Sequence, residues 1–198
     1  ISTLSASTEN VTTAVGKALN QATSSLDGIA DKVNTAFDQL DKDSTQTADA
    51  LKDLSNQVSG AADAYGNYLQ DLNNMRASVE NMPDGETKQA LLNAIDKQIA
   101  TLQSAQQDTQ ALAQALADAS KQVSANSGDL QSERQKILDR IATAKKSIVS
   151  ARKEYTTNVK PQFDKLADSM QDLISQTGDV VAGIGDVTSQ AGDVTHDV

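Results

Sequence analysis

The chain of 198 residues has no cysteine, no tryptophan, two prolines and a single histidine, His196. Its aromatic residues are five in all: Phe37, Tyr65, Tyr68, Tyr155 and Phe163. Without cysteine there is no disulfide framework, thiolate zinc site, iron–sulfur cluster or cysteine nucleophile. One histidine leaves no multi-histidine metal site, and a Ser–His–Asp triad only if His196 serves it. No run approaches about 18 apolar residues, so no segment reads as a membrane span. Basic side chains number 17 against 27 acidic ones, a net charge of −10, which makes nucleic acid a poor partner. No cofactor is implied. The chain opens on Ile1 without a basic and apolar leader, and is expected to be one elongated domain, 1–198, cut from a longer chain.

What the sequence does have is periodicity. Stepping alternately four and three residues from Ala22 meets Leu26, Ile29, Val33, Ala36 and Leu40. After Ser44 and Thr47 the pattern resumes at Leu51 and holds to Met82. That is about nine heptads in one phase, well beyond the three or four that mark a coiled-coil seam. Met82-Pro83-Asp84-Gly85 then reads as a turn. A second stripe runs from Leu92 to Val123 and ends in Ser124-Ala125-Asn126-Ser127-Gly128-Asp129, where Asp129 is placed to cap the next helix. A third runs from Leu130 through Tyr155, Val159 and Phe163 to Val194. Its steps of four and four at Tyr155, Val159 and Phe163 are a stutter, and with Pro161 they predict a kink or short break.

No window alternates apolar and polar residues as a strand does. The fold class is therefore all-α: an elongated antiparallel, coiled-coil-like bundle of at least three long helices, about 5–82, 86–126 and 130–196. The alternative breaks the first helix at residues 41–45, giving an up-down four-helix bundle of 4–41, 45–82, 86–126 and 130–170. The unbroken phase favours the long helix. A seam rich in Ala, Ser and Thr makes a thin core and no concave pocket, which argues against an enzyme and a small-molecule substrate.

Charge falls in blocks. Residues 1–85 carry 5 basic and 12 acidic side chains, 130–165 carry 9 and 4, and 166–198 carry 0 and 6. The basic block, with Arg140, Lys145 and Lys146 at its centre, is expected to lie beside the acidic first helix. The other reading is a docking face for an anionic polymer or headgroup. Unequal helix lengths also predict bare seams at 1–40 and 166–198, open to protein partners or self-association.

The candidate sites are few. Asp41, Asp43 and Thr45 begin like a calcium loop, but Gln46 and Lys52 fill its sixth and twelfth positions and the pattern fails. Asn10-Val11-Thr12 matches a glycosylation acceptor by length-three chance. Gly178-Asp179-Val180, Gly185-Asp186-Val187 and Gly192-Asp193-Val194 recur every seven residues. Glycine inside a helix costs roughly 0.5–1 kcal/mol relative to alanine. Its repetition points to close helix approach, or to a helix completed by a partner. Gly178, Gly185, Gly192, Arg140, Lys145 and Lys146 are thus the candidate partner-binding residues, with no catalytic, cofactor or metal residues assigned.

The glycine heptads at Gly178, Gly185 and Gly192, the segment Thr156-Thr157-Asn158-Val159-Lys160-Pro161 and the lack of cysteine resemble the extracytoplasmic segment of the phage infection protein (YhgE/Pip) family. That resemblance implies a membrane-anchored parent protein of a Gram-positive bacterium, exposure on the extracellular face of the membrane, and a role in bacteriophage adsorption or secretion. It carries over no site residues. Two other classes remain open: a chemoreceptor-like or tail-fibre-like spacer or signalling rod, and a lipid-binding amphipathic helix, against which the narrow stripe and acidic flanks weigh.

Overall fold

A computed structural model describes the backbone of residues 2–196 and the surroundings of side chains 13–173 and 175–186. Every regular element is helical: α1 (Ser2–Leu26), α2 (Ile29–Asp38), α3 (Ser44–Glu80), α4 (Glu86–Ser124), α5 (Leu130–Glu154), a π-helical turn (Tyr155–Val159) and α6 (Lys160–His196). The all-α bundle expected from the sequence is what forms. Its version with one continuous helix over 5–82 is corrected, because the chain leaves the helix at Gln39 and re-enters it at Ser44.

The physical reason lies in the polar run that follows Leu40. Asp43 adopts an extended conformation and its carboxylate accepts a 3.0 Å hydrogen bond from the Gln46 N–H, capping α3. The Thr47 hydroxyl donates to the Ala36 carbonyl at 2.8 Å, tying the new helix to the end of the old one. A second interruption, unexpected from the sequence, separates α1 from α2 at Gly28, whose φ of 74° is left-handed. The seam continues across it, since Leu26 and Ile29 are both buried.

The result is an up-down four-helix bundle in which α1 with α2 forms the first rod and α3, α4 and α5 the others. Helix α3 packs on α1 and α4, while α5 packs on α4, α1 and α2, leaving α3 and α5 diagonal to each other. The seam residues Leu51, Leu54, Val58, Leu72, Leu102, Leu112 and Ile137 meet in one continuous core. Between α3 and α4 small residues let the backbones approach: Ser55 Oγ donates to the Ala113 carbonyl and Ser120 Oγ to the Ala48 carbonyl, each at 2.7 Å. As expected, Asp129 caps α5, accepting from the Ser132 N–H at 3.1 Å.

The break foreseen near Pro161 is a widened turn. The Lys160 N–H donates to the Tyr155 carbonyl five residues back. Proline has no N–H to offer Thr157, and its ring crowds that carbonyl. One inserted residue relieves the crowding and accounts for the four-and-four stutter. Helices α5 and α6 thus run on without reversal over residues 130–196, roughly 100 Å at about 1.5 Å per residue. The bundle ends before α6 does. Phe163 is buried and Leu166 half-buried, whereas the described side chains from Gln171 to Asp186 are all exposed. The accessible surface of 11526 Å² exceeds the about 9,000 Å² of a compact protein of this mass. Among the described residues no helix is long and apolar enough to cross a membrane.

Candidate interaction surface

Among the described residues, Tyr65 Oη, Tyr68 Oη and Gln98 Oε1 are buried without a hydrogen-bond partner. They are neighbours. Tyr65 and Tyr68 stand three residues apart on one face of α3, and Tyr68 reaches across the diagonal to the phenol of Tyr155. Gln98 Nε2 donates to the Ala151 carbonyl at 3.1 Å, one turn before Tyr155. Burial pushes the Tyr65 phenol up to about 12, with the Thr109 hydroxyl pulling it partly back from a position outside hydrogen-bonding geometry. Burial first, and then Tyr155, pushes Tyr68 up further still. These phenols stay neutral at ordinary pH, so neither is a base.

The grooves between helices are open and shallow. One of about 510 Å³ between α1 and α3 is lined by Lys17, Gln21, Asn67 and Asp71 over Tyr68. Another of about 540 Å³ lies where α6 leaves the bundle, between Glu86 and Ala90 on α4 and Leu166 and Ser169 on α6. Among the described residues no three His, Asp or Glu gather to hold a metal ion. Asp41 and Asp43 sit in the loop before α3, where Asp43 serves as the helix cap.

The basic block divides in two. Helix α5 does lie beside the first rod: Arg134 donates to Asn34 (2.9 Å) and Asp38 (3.1 Å) and stands 6.0 Å over the Phe37 ring. Arg152 donates to the Thr23 hydroxyl at 3.0 Å. The expectation that Arg140, Lys145 and Lys146 join this pairing is corrected: all three are exposed, and among the described residues none forms an ion pair with the first rod. The reason is helical phase, because Ile141, Ala144 and Ile148 take the inward positions.

The bare seams also divide. Residues 13–40 are not bare, since Val15, Leu19, Val33 and Phe37 are buried by the folding back of α3 and α5. The seam of α6 is bare: Leu173 is 54 % exposed, Val180 61 % and Val181 64 %. An added Cβ at Gly178 or Gly185 would meet nothing within 4 Å, so these glycines make no close helix contact within the chain. The surroundings of Gly192 and His196, and the site at Asn10, lie outside the described residues.

Sequence reading missed two features here. Val149, 63 % exposed amid Lys145, Lys146, Arg152 and Lys153, carried no seam signal because it lies off the stripe. Gln98 is buried one position from the expected seam residue Ile99, which is only half-buried. Comparison with known protein families, with curated proteins and with solved structures gives no match to this chain.

Proposed function

We infer that the chain is a non-enzymatic spacer and docking domain of a membrane-anchored bacterial surface protein, with the outer part of α6 as its docking element. The observation that carries this is a helix leaving a self-sufficient bundle while its apolar positions Leu173, Val180 and Val181 stay in water. A monomer gains nothing from that stripe, whereas a partner does. The four-helix rod supplies reach, and the grooves offer open surface in place of an enclosed cavity. The placement at the extracellular face, and bacteriophage as one user of it, follow from the resemblance to phage infection proteins.

A second reading is a signalling rod, favoured by the unreversed helix over 130–196, which joins the bundle to its outer end. Localisation separates the two. The chain has no cysteine, so Ser127→Cys in the exposed turn before α5 introduces a single thiol. In cells producing the parent protein, a membrane-impermeant maleimide is expected to label that thiol without lysis. Labelling only after lysis overturns the surface reading and leaves the signalling rod.

A further inference from the structure

The exposed stripe of α6 continues the seam of the bundle. Phe163 is buried and Leu166 half-buried, and steps of four and three residues lead on through Met170, Leu173, Thr177, Val180 and Ile184. Leu173, Val180 and Ile184 are exposed apolar side chains. In the sequence the same steps reach Val187, Ala191 and Val194, about four heptads from Leu166 and long enough for a two-helix seam. The charges of α6 keep clear of it. At about 100° per residue, Asp172, Asp179 and Asp186 lie on average about 130° from the centre of the stripe. Asp168 lies further round still. The positions flanking the stripe hold Ala167, Ser169, Gln176, Val181 and Gly183, none of them charged.

Flanking positions choose the partner in a paired helix, because their charges meet across the seam. A partner with charged flanks finds no opposite charge on α6 and gains no ion pair there. A partner with uncharged flanks loses nothing, and α6 is itself such a helix. Pairing two copies of it leaves every described carboxylate of α6 turned to water. The exposed Val149 of α5 does not fit this requirement, since Lys145, Lys146, Arg152 and Lys153 surround it. We propose that α6 pairs with α6 of a second copy, seam to seam and antiparallel. The direction follows from the phase. A stripe that continues from Phe163 looks toward the long axis of its own bundle, beyond that bundle's end. A parallel partner would bring its bundle into space this bundle fills, whereas an antiparallel one carries its bundle past the tip of α6. The same patch serves both copies, so the contact closes as a twofold dimer. In the register that centres the described stripe, Leu173 of one copy faces Ile184 of the other, and Thr177 faces Val180. Residues 166–198 carry 0 basic and 6 acidic side chains, so the two helices repel at long range and salt tightens the pair.

This rests on the reading of α6 as the docking element, and its test separates the two. In sedimentation the unaltered chain should associate with rising concentration, and more tightly as salt is added. Val180→Glu puts a carboxylate on the seam of both copies and should weaken association about tenfold or more. Asp179→Asn with Asp186→Asn should leave association as tight or tighter, because these side chains stand outside the contact. Circular dichroism checks that the variants keep their helices. The chain has no cysteine, so Leu173→Cys and Ile184→Cys chains each carry a single thiol. Under mild oxidation the two should cross-link when mixed, and Leu173→Cys should not cross-link with itself. An unaltered chain that stays monomeric to about 1 mM overturns the proposal. So does association that weakens with salt, that survives Val180→Glu or that falls with the Asn pair, and so does cross-linking of Leu173→Cys with itself. A monomeric result leaves α6 open to a different protein partner, and the labelling of Ser127→Cys on cells decides the surface reading by itself.

Discussion

Tyr68 gives up water on folding and gains no hydrogen bond in return. A buried hydroxyl in that state costs about 1–3 kcal/mol. Tyr68→Phe is therefore expected to raise stability by about 1 kcal/mol, seen as a higher urea midpoint at unchanged slope. Tyr65 makes a related prediction through pH. Its phenol is raised from about 10 to about 12 by burial, so the folded chain holds this proton more tightly than the unfolded one. The stabilisation is complete below pH 10 and is lost as pH rises from 10 through 12. Melting temperatures taken across that window should fall, and Tyr65→Phe should flatten the fall. The three tyrosines were legible as core from their seam positions. The polar layer they form with Gln98 was not, because heptad spacing tells which residues turn inward and says nothing about which polar atoms then find partners.

Among the elements, the glycines act in opposite senses. Gly28 holds a φ of 74° between α1 and α2, so Gly28→Ala should cost about 1 kcal/mol in chemical denaturation. Gly178 sits in a helix with open space around it, so Gly178→Ala should gain roughly 0.5–1 kcal/mol of local helix stability, read as slower amide exchange in α6. No change in the gain for α6 would mean that the glycine has a neighbour. The break at residues 39–43 was only half legible. Leu40, Ser44 and Thr47 keep the four-and-three spacing, so the count sees one helix, yet the chain reverses between them. Each helix of an up-down bundle presents its own seam, and a five-residue loop can leave the count in phase by coincidence. The polar run and the capping potential of Asp43 were the better signal there.

For the molecule as a whole, the length of α5 and α6 together predicts X-ray scattering with a maximum dimension near 100 Å and a radius of gyration well above the about 16 Å of a compact chain of this length. A chain ending at residue 172 should melt within about 2 °C of the full one, because the exposed part of α6 lends the bundle no burial. The all-α class, both turns and the bare end of α6 followed from periodicity. The covering of the first rod did not, since it depends on where the chain turns back. The π turn at Tyr155–Val159 also has an angular meaning. One residue of α-helix is about 100° of rotation, and this turn holds one residue more than an α-helix needs. Removing Thr157 would return the segment to α-helical winding and swing Leu173 and Val180 about a quarter of the way round the rod. Like a gear tooth between two shafts, the extra residue sets the compass bearing at which α6 leaves the bundle.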